Sequence, residues 1–203
     1  MIGKMENQNE AVEKQKENKW KGGQLGNYFQ YVMQVIKNPD HLLSDGTQSK
    51  QQFGLITLIA FLGLILLSNV IGIFTYLDAL RYLGFSDYFN YFERTIAYAL
   101  ALALLMFVFK NVAAKNGKSY DLNFFFEKLG ALLVVPAILL IVSIPLELVD
   151  ITIYSWFSSL AYTFLYLAIF LISYFFVAKN NLKTAVLFVA GFYFVYRLIF
   201  LIL

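Results

Sequence analysis

From residue 53 to the end, apolar residues come in five runs of about twenty, at 53–77, 95–114, 129–149, 156–178 and 184–203, separated by short stretches where charges collect. A hydrocarbon layer about 30 Å thick is crossed by about 20 residues of helix. Lipid offers no hydrogen-bond partners, so runs of this length must satisfy their backbone internally, as helices. The pattern therefore predicts an all-α polytopic membrane bundle of about five transmembrane helices over 53–203.

Upstream the pattern changes twice. In 27–52, Phe29, Val32, Met33 and Ile36 recur at helical spacing while Gln30, Gln34 and Lys37 fall between them, which predicts a short amphipathic helix. Its apolar face is expected on the bilayer headgroup boundary or on the underside of the bundle. Asn38-Pro39 then suits a cap and first helical position for a restart through Leu42 and Leu43. Residues 1–26 are rich in Lys, Glu, Gln and Asn, with Trp20 the sole aromatic. They read as a disordered tail, with Trp20, Phe29, Val32 and Ile36 as candidate interfacial or partner contacts.

Composition agrees. The chain is 60% hydrophobic and only 14% charged, where a soluble domain has about 25% charge. The net charge of +3 is too small and too divided to suggest nucleic acid. Its distribution is more telling, because short loops rich in Lys and Arg stay on the cytoplasmic side. With a cytoplasmic N-terminus, the inner loops carry Lys110, Lys115, Lys118, Lys128, Lys179 and Lys183, against Arg81 and Arg94 outside. The expectation is a multi-pass protein of the cell membrane, N-terminus inside and C-terminus outside.

The search for chemistry is negative. The chain has no cysteine and a single histidine, His41, which excludes thiolate chemistry and His-pair metal sites. It has no phosphate-binding loop, HExxH or GxSxG, so no catalytic, cofactor or metal residue is assigned and no enzyme is expected. Polar residues in lipid are the ones that need explaining. Arg197 lies roughly 10 Å from the end of the last span, and Glu147 and Asp150 close the third. All three share one leaflet in this topology, so Arg197 is read either as half of an intramembrane ion pair with Glu147 or Asp150 or as snorkelling to the surface, with a polar cavity or partner contact as the sharper reading. Pro136 and Pro145 should kink the third span. Ser68-xxx-Gly72, Ala97-xxx-Ala101 and Ala99-xxx-Ala103 permit close helix approach.

The segments YVMQVIKNP (31–39) and QFGLITLI (52–59), followed by the remaining spans, resemble the bacterial YIP-domain membrane proteins, here without the zinc ribbon that some of them carry. The resemblance implies a non-enzymatic five-span membrane protein. On this reading the chain is a membrane scaffold or regulator that recruits a cytoplasmic or membrane partner, with the lipid bilayer as its standing partner. A small transport component, or a permease subunit of a larger complex, is the alternative.

Overall fold

A computed structural model describes residues 25–39, 51–75, 85–149 and 151–203. Among them the chain is helical with no strand. Helix α1 covers residues 25–37. It is followed by α2 (Gln51–Thr75), α3 (Phe85–Lys115), α4 (Leu122–Leu132), α5 (Val134–Leu148), α6 (Tyr154–Ile172) with a π-helical turn over Ser173–Val177, and α7 (Leu182–Ile202). Trp20, His41, Asp150 and the tail 1–24 lie outside the described residues.

Four of these helices are long and apolar enough to cross a membrane, and α4 with α5 adds a fifth if the pair, bent by 46°, is one span. Two contacts with α2 favour the single span. Gly130 of α4 touches Gly54 near the start of α2, and Glu147 of α5 accepts a hydrogen bond from Ser68 Oγ near its other end, at 3.1 Å. The pair thus runs the length of α2, parallel to it, as one broken helix. The break has a local cause. Pro136 has no N–H to give the carbonyl of Leu132, and its ring crowds that carbonyl, so α4 stops at Leu132 and α5 begins at Val134. Pro145 remains inside α5.

The helix ends follow from sequence. Asp121 caps α4, its Oδ1 accepting from Phe124 N at 2.8 Å, and Asn181 caps α7 by accepting from Thr184 N at 3.1 Å. Asn38 closes α1, its N–H donating to Gln34 O at 3.0 Å, and Pro39 stands in a 3-10 turn; the restart expected through Leu42 and Leu43 lies outside the described residues. Helix α3 begins at Phe85, ten residues before the apolar run that opens at 95, because residues 85–95 contain no Gly or Pro to break it.

The core lies among α2, α3, α4–α5 and α6, around Phe61, Ile65, Met106, Phe109, Phe125 and Ile172, all fully buried. In lipid the gain comes from packing rather than from leaving water. Small residues set the distances: Ala97 and Ala101 of α3 are buried, whereas Ala103, at the spacing of Ala99, is exposed. Helix α7 is the most peripheral span, held by Ala185, Phe192 and Tyr196.

Candidate functional site

The most constrained polar region is at the end of the bundle that carries α1. It begins with two glycines. A Cβ on Gly54 would lie 2.5 Å from Glu127 Cα and 2.7 Å from Glu127 O, and one on Gly130 would overlap the Gly54 carbonyl. Side chains are therefore excluded from this crossing, and the α2 and α4 backbones touch.

Helix α1 docks beside the crossing. Tyr31 and Val35 are buried against Ala131 and Val134, the residues flanking the α4–α5 break, with Tyr28, Val32 and Phe53 packed around them. Phe53 meets Tyr28 edge-on at 5.8 Å and Tyr31 at 5.5 Å between ring centroids. The Thr57 hydroxyl spends its hydrogen on Phe53 O at 2.9 Å. It therefore accepts from Tyr28 Oη, also at 2.9 Å. Burial, with the Glu127 carboxylate and Tyr28 nearby, raises the Tyr31 phenol above its ordinary value.

Two charged side chains of α4 are buried near this contact, Glu127 toward Tyr31 and Lys128 toward the π-turn. Glu127 and Lys128 are 6% and 2% exposed. The Lys128 ammonium sits 5.4 Å from the ring centre of Phe124 and 5.5 Å from that of Phe176, and rings at this range stabilise a desolvated cation. Glu127 Oε2 has no hydrogen-bond partner. Phe176 belongs to the π-turn, whose loosened backbone is also served from the α3–α4 loop: Asn116 Nδ2 donates to Val177 O at 2.8 Å and Lys118 Nζ to Phe175 O at 3.0 Å. The bent span, the π-turn and α1 thus meet around one buried pair of charges.

The candidate residues from sequence fall in different places. Phe29 and Ile36 are 65% and 44% exposed, and Met33 is also exposed, so this stripe does not pack on the bundle. Tyr28, Tyr31 and Val35, a neighbouring face, do that instead, and Val32 lies between the two. The aromatic preference of a notch beside a bent helix has no period along the chain, which is why the stripe was the stronger signal.

At the opposite end Glu147 and Arg197 are not brought together. Glu147 is taken by Ser68, with Gly72 leaving room beside its carboxylate. Arg197 is exposed and stays on its own helix, its Nε donating to Tyr193 Oη at 3.3 Å and its guanidinium 5.7 Å from the Tyr193 ring centre. The expected pair of Arg197 with Glu147 is absent among the described residues, because each group has a nearer partner; Asp150 lies outside them. The neighbouring Tyr196 points inward and stacks on Tyr98 at 4.1 Å. No group of three or more metal-ligating side chains occurs among the described residues. No family model, curated protein or solved structure matches this chain.

Proposed function

We propose that this chain is a non-enzymatic scaffold or regulator of the cell membrane, which holds its polar N-terminal region against the membrane to recruit a cytoplasmic or membrane partner. The observation that carries this reading is the docking of α1. Three aromatic rings and a hydroxyl pair fix α1 beside the α2–α4 crossing, and the polar region 1–24 precedes it directly in the sequence. The two segments behind the YIP-domain resemblance, 31–39 and 52–59, meet in this contact.

The N-inside, C-outside orientation is part of the proposal. Lys110, Lys115, Lys118, Lys179 and Lys183 cluster at the α1 end, as cytoplasmic residues do. Lys128 no longer counts as a loop charge, since it is buried, but five against two keeps the same sign.

A transport component is the second reading, supported by the broken α4–α5 span over buried Glu127 and Lys128. The groove of about 180 Å³ between α3 and α7 does not add to it. Its walls, including Ala101, Leu105, Val108, Phe188, Gly191 and Val195, carry no polar side chain.

The test compares the full chain with a deletion of residues 1–24, crosslinked in native membranes and purified in mild detergent. Partners recovered with the full chain and lost with the deletion support recruitment. An unchanged set, together with solute flux in proteoliposomes, transfers the assignment to transport.

A further inference from the structure

We propose that the exposed face of α1 is a lipid-binding surface, seated among the acyl chains of one leaflet beside the α4–α5 bend. Three observations carry this.

The first is depth. Tyr28 bonds to Thr57, and Phe53 packs on Tyr28 and Tyr31. Both α2 residues belong to the apolar stretch Gln52–Gly72, and Thr57 is about 8 Å along it from Gln52. Ala131 and Val134, the other partners of α1, flank the break inside the α4–α5 span. Helix α1 therefore packs on the flank of the membrane-crossing part of the bundle, in the notch that the bend opens, and not beneath it. At that level whatever is not protein is lipid.

The second is the division of the helix surface. At 100° per residue, Tyr28, Tyr31 and Val35 form the docked face. Leu25, Phe29, Met33 and Ile36 form an adjoining exposed apolar face, from 37% to 77% exposed. Asn27, Gln30, Gln34 and Lys37 fill the remaining arc and are also exposed. A helix with one face on protein, one apolar and one polar fits a position where bundle, acyl chains and headgroup water meet.

The third is continuity. Leu55, Ile56 and Ile59 of α2 are exposed apolar residues at the same level, so the apolar face of α1 extends the lipid-facing surface of the spans. The proposal does not depend on whether the tail recruits a partner.

The chain has no cysteine, so single cysteines carry a spin label without background. Full-length protein is labelled in turn at positions 29, 33 and 36 and at 30, 34 and 37. It is reconstituted in phosphatidylcholine–phosphatidylglycerol vesicles, and collisions with oxygen and with a water-soluble nickel chelate are measured. The expected result is a several-fold higher oxygen-to-nickel ratio at 29, 33 and 36 than at 30, 34 and 37. Low ratios on both faces would place α1 in water. Labels at 29, 33 and 36 that are immobilised and shielded from both agents would place them against protein, such as a second copy. Either result overturns the proposal. As a second measurement, Phe29→Trp in a Trp20→Phe, Trp156→Phe background should be quenched by lipids brominated on their acyl chains; fluorescence unchanged by those lipids would equally refute it.

Discussion

Gly130 rests directly on the carbonyl of Gly54, so that α2 and α4 cross with no side chain between them. This contact fixes the angle of α4, which in turn positions the notch that α1 fills. Alanine at either glycine must push the two backbones apart. Gly54→Ala and Gly130→Ala are each expected to cost about 1–3 kcal/mol and to lower the thermal unfolding temperature in detergent. Gly63→Ala and Gly191→Ala are the controls, since a Cβ there meets open space; helix propensity should make both neutral or slightly stabilising, by up to about 1 kcal/mol. Equal losses at all four positions would show that the crossing is not special.

The hydroxyl pair gives a finer probe of α1. Tyr28→Phe leaves Thr57 its bond to Phe53 O and should cost about 0.5–1.5 kcal/mol of docking. Thr57→Val strands the Tyr28 hydroxyl at a partly buried site and should cost at least as much. Hydrogen exchange of residues 25–37 is the readout, because docking stability is local stability. Faster exchange in both variants, with that of α6 unchanged, is expected; unchanged exchange in α1 would mean the helix is held by its rings alone.

Glu127 and Lys128 should depend on each other. Lys128→Met removes a cation held over Phe124 and Phe176 and leaves the Glu127 carboxylate buried without a nearby positive charge. A loss of about 3 kcal/mol is expected. Adding Glu127→Gln to the same chain should recover most of it, since no charge is then buried. A double variant no more stable than Lys128→Met would show that the loss is one of packing.

Much of this architecture could be read from residue order. Apolar runs gave the spans because bilayer thickness demands a fixed length. Pro136 announced a kink, though not that the kink would make a seat for another helix. The charged residues were less legible. Arg197 and Glu147 share a level by counting, but which way each faces depends on helix rotation, and rotation put Ser68 beside Glu147 and Tyr193 beside Arg197. Lys128 looked like a loop charge because nothing local marks the rings of Phe176, 48 residues away, as its enclosure. The face of α1 that docks was missed for the same reason: its partners Phe53 and Val134 come from two other helices.

Those two polar contacts make a prediction that separates them. Ser68→Ala takes the hydrogen bond from a half-buried carboxylate and should lower stability by about 1 kcal/mol. Arg197→Leu removes a side chain whose partner is on its own helix, in an exposed position, so the unfolding temperature should stay within error of the parent.

Pro136→Ala tests how the bend and α1 are linked. The substitution restores an N–H at 136 and removes the ring that crowds the Leu132 carbonyl, so α4 and α5 can join as a continuous helix. For an isolated helix this is favourable, by about 3 kcal/mol. Here a straighter helix would move Ala131 and Val134, the floor on which Tyr31 and Val35 rest, and would draw Gly130 off Gly54. The gain in the span and the loss at its contacts therefore oppose each other. Exchange of residues 25–37 should rise markedly while the unfolding temperature changes little. Labelled cysteines at 123 and 141 would report the straightening as a lengthened distance. A lengthened distance with α1 as protected as before would show that the notch is not made by the bend, and the seat of α1 would then be assigned to the Gly54–Gly130 crossing alone.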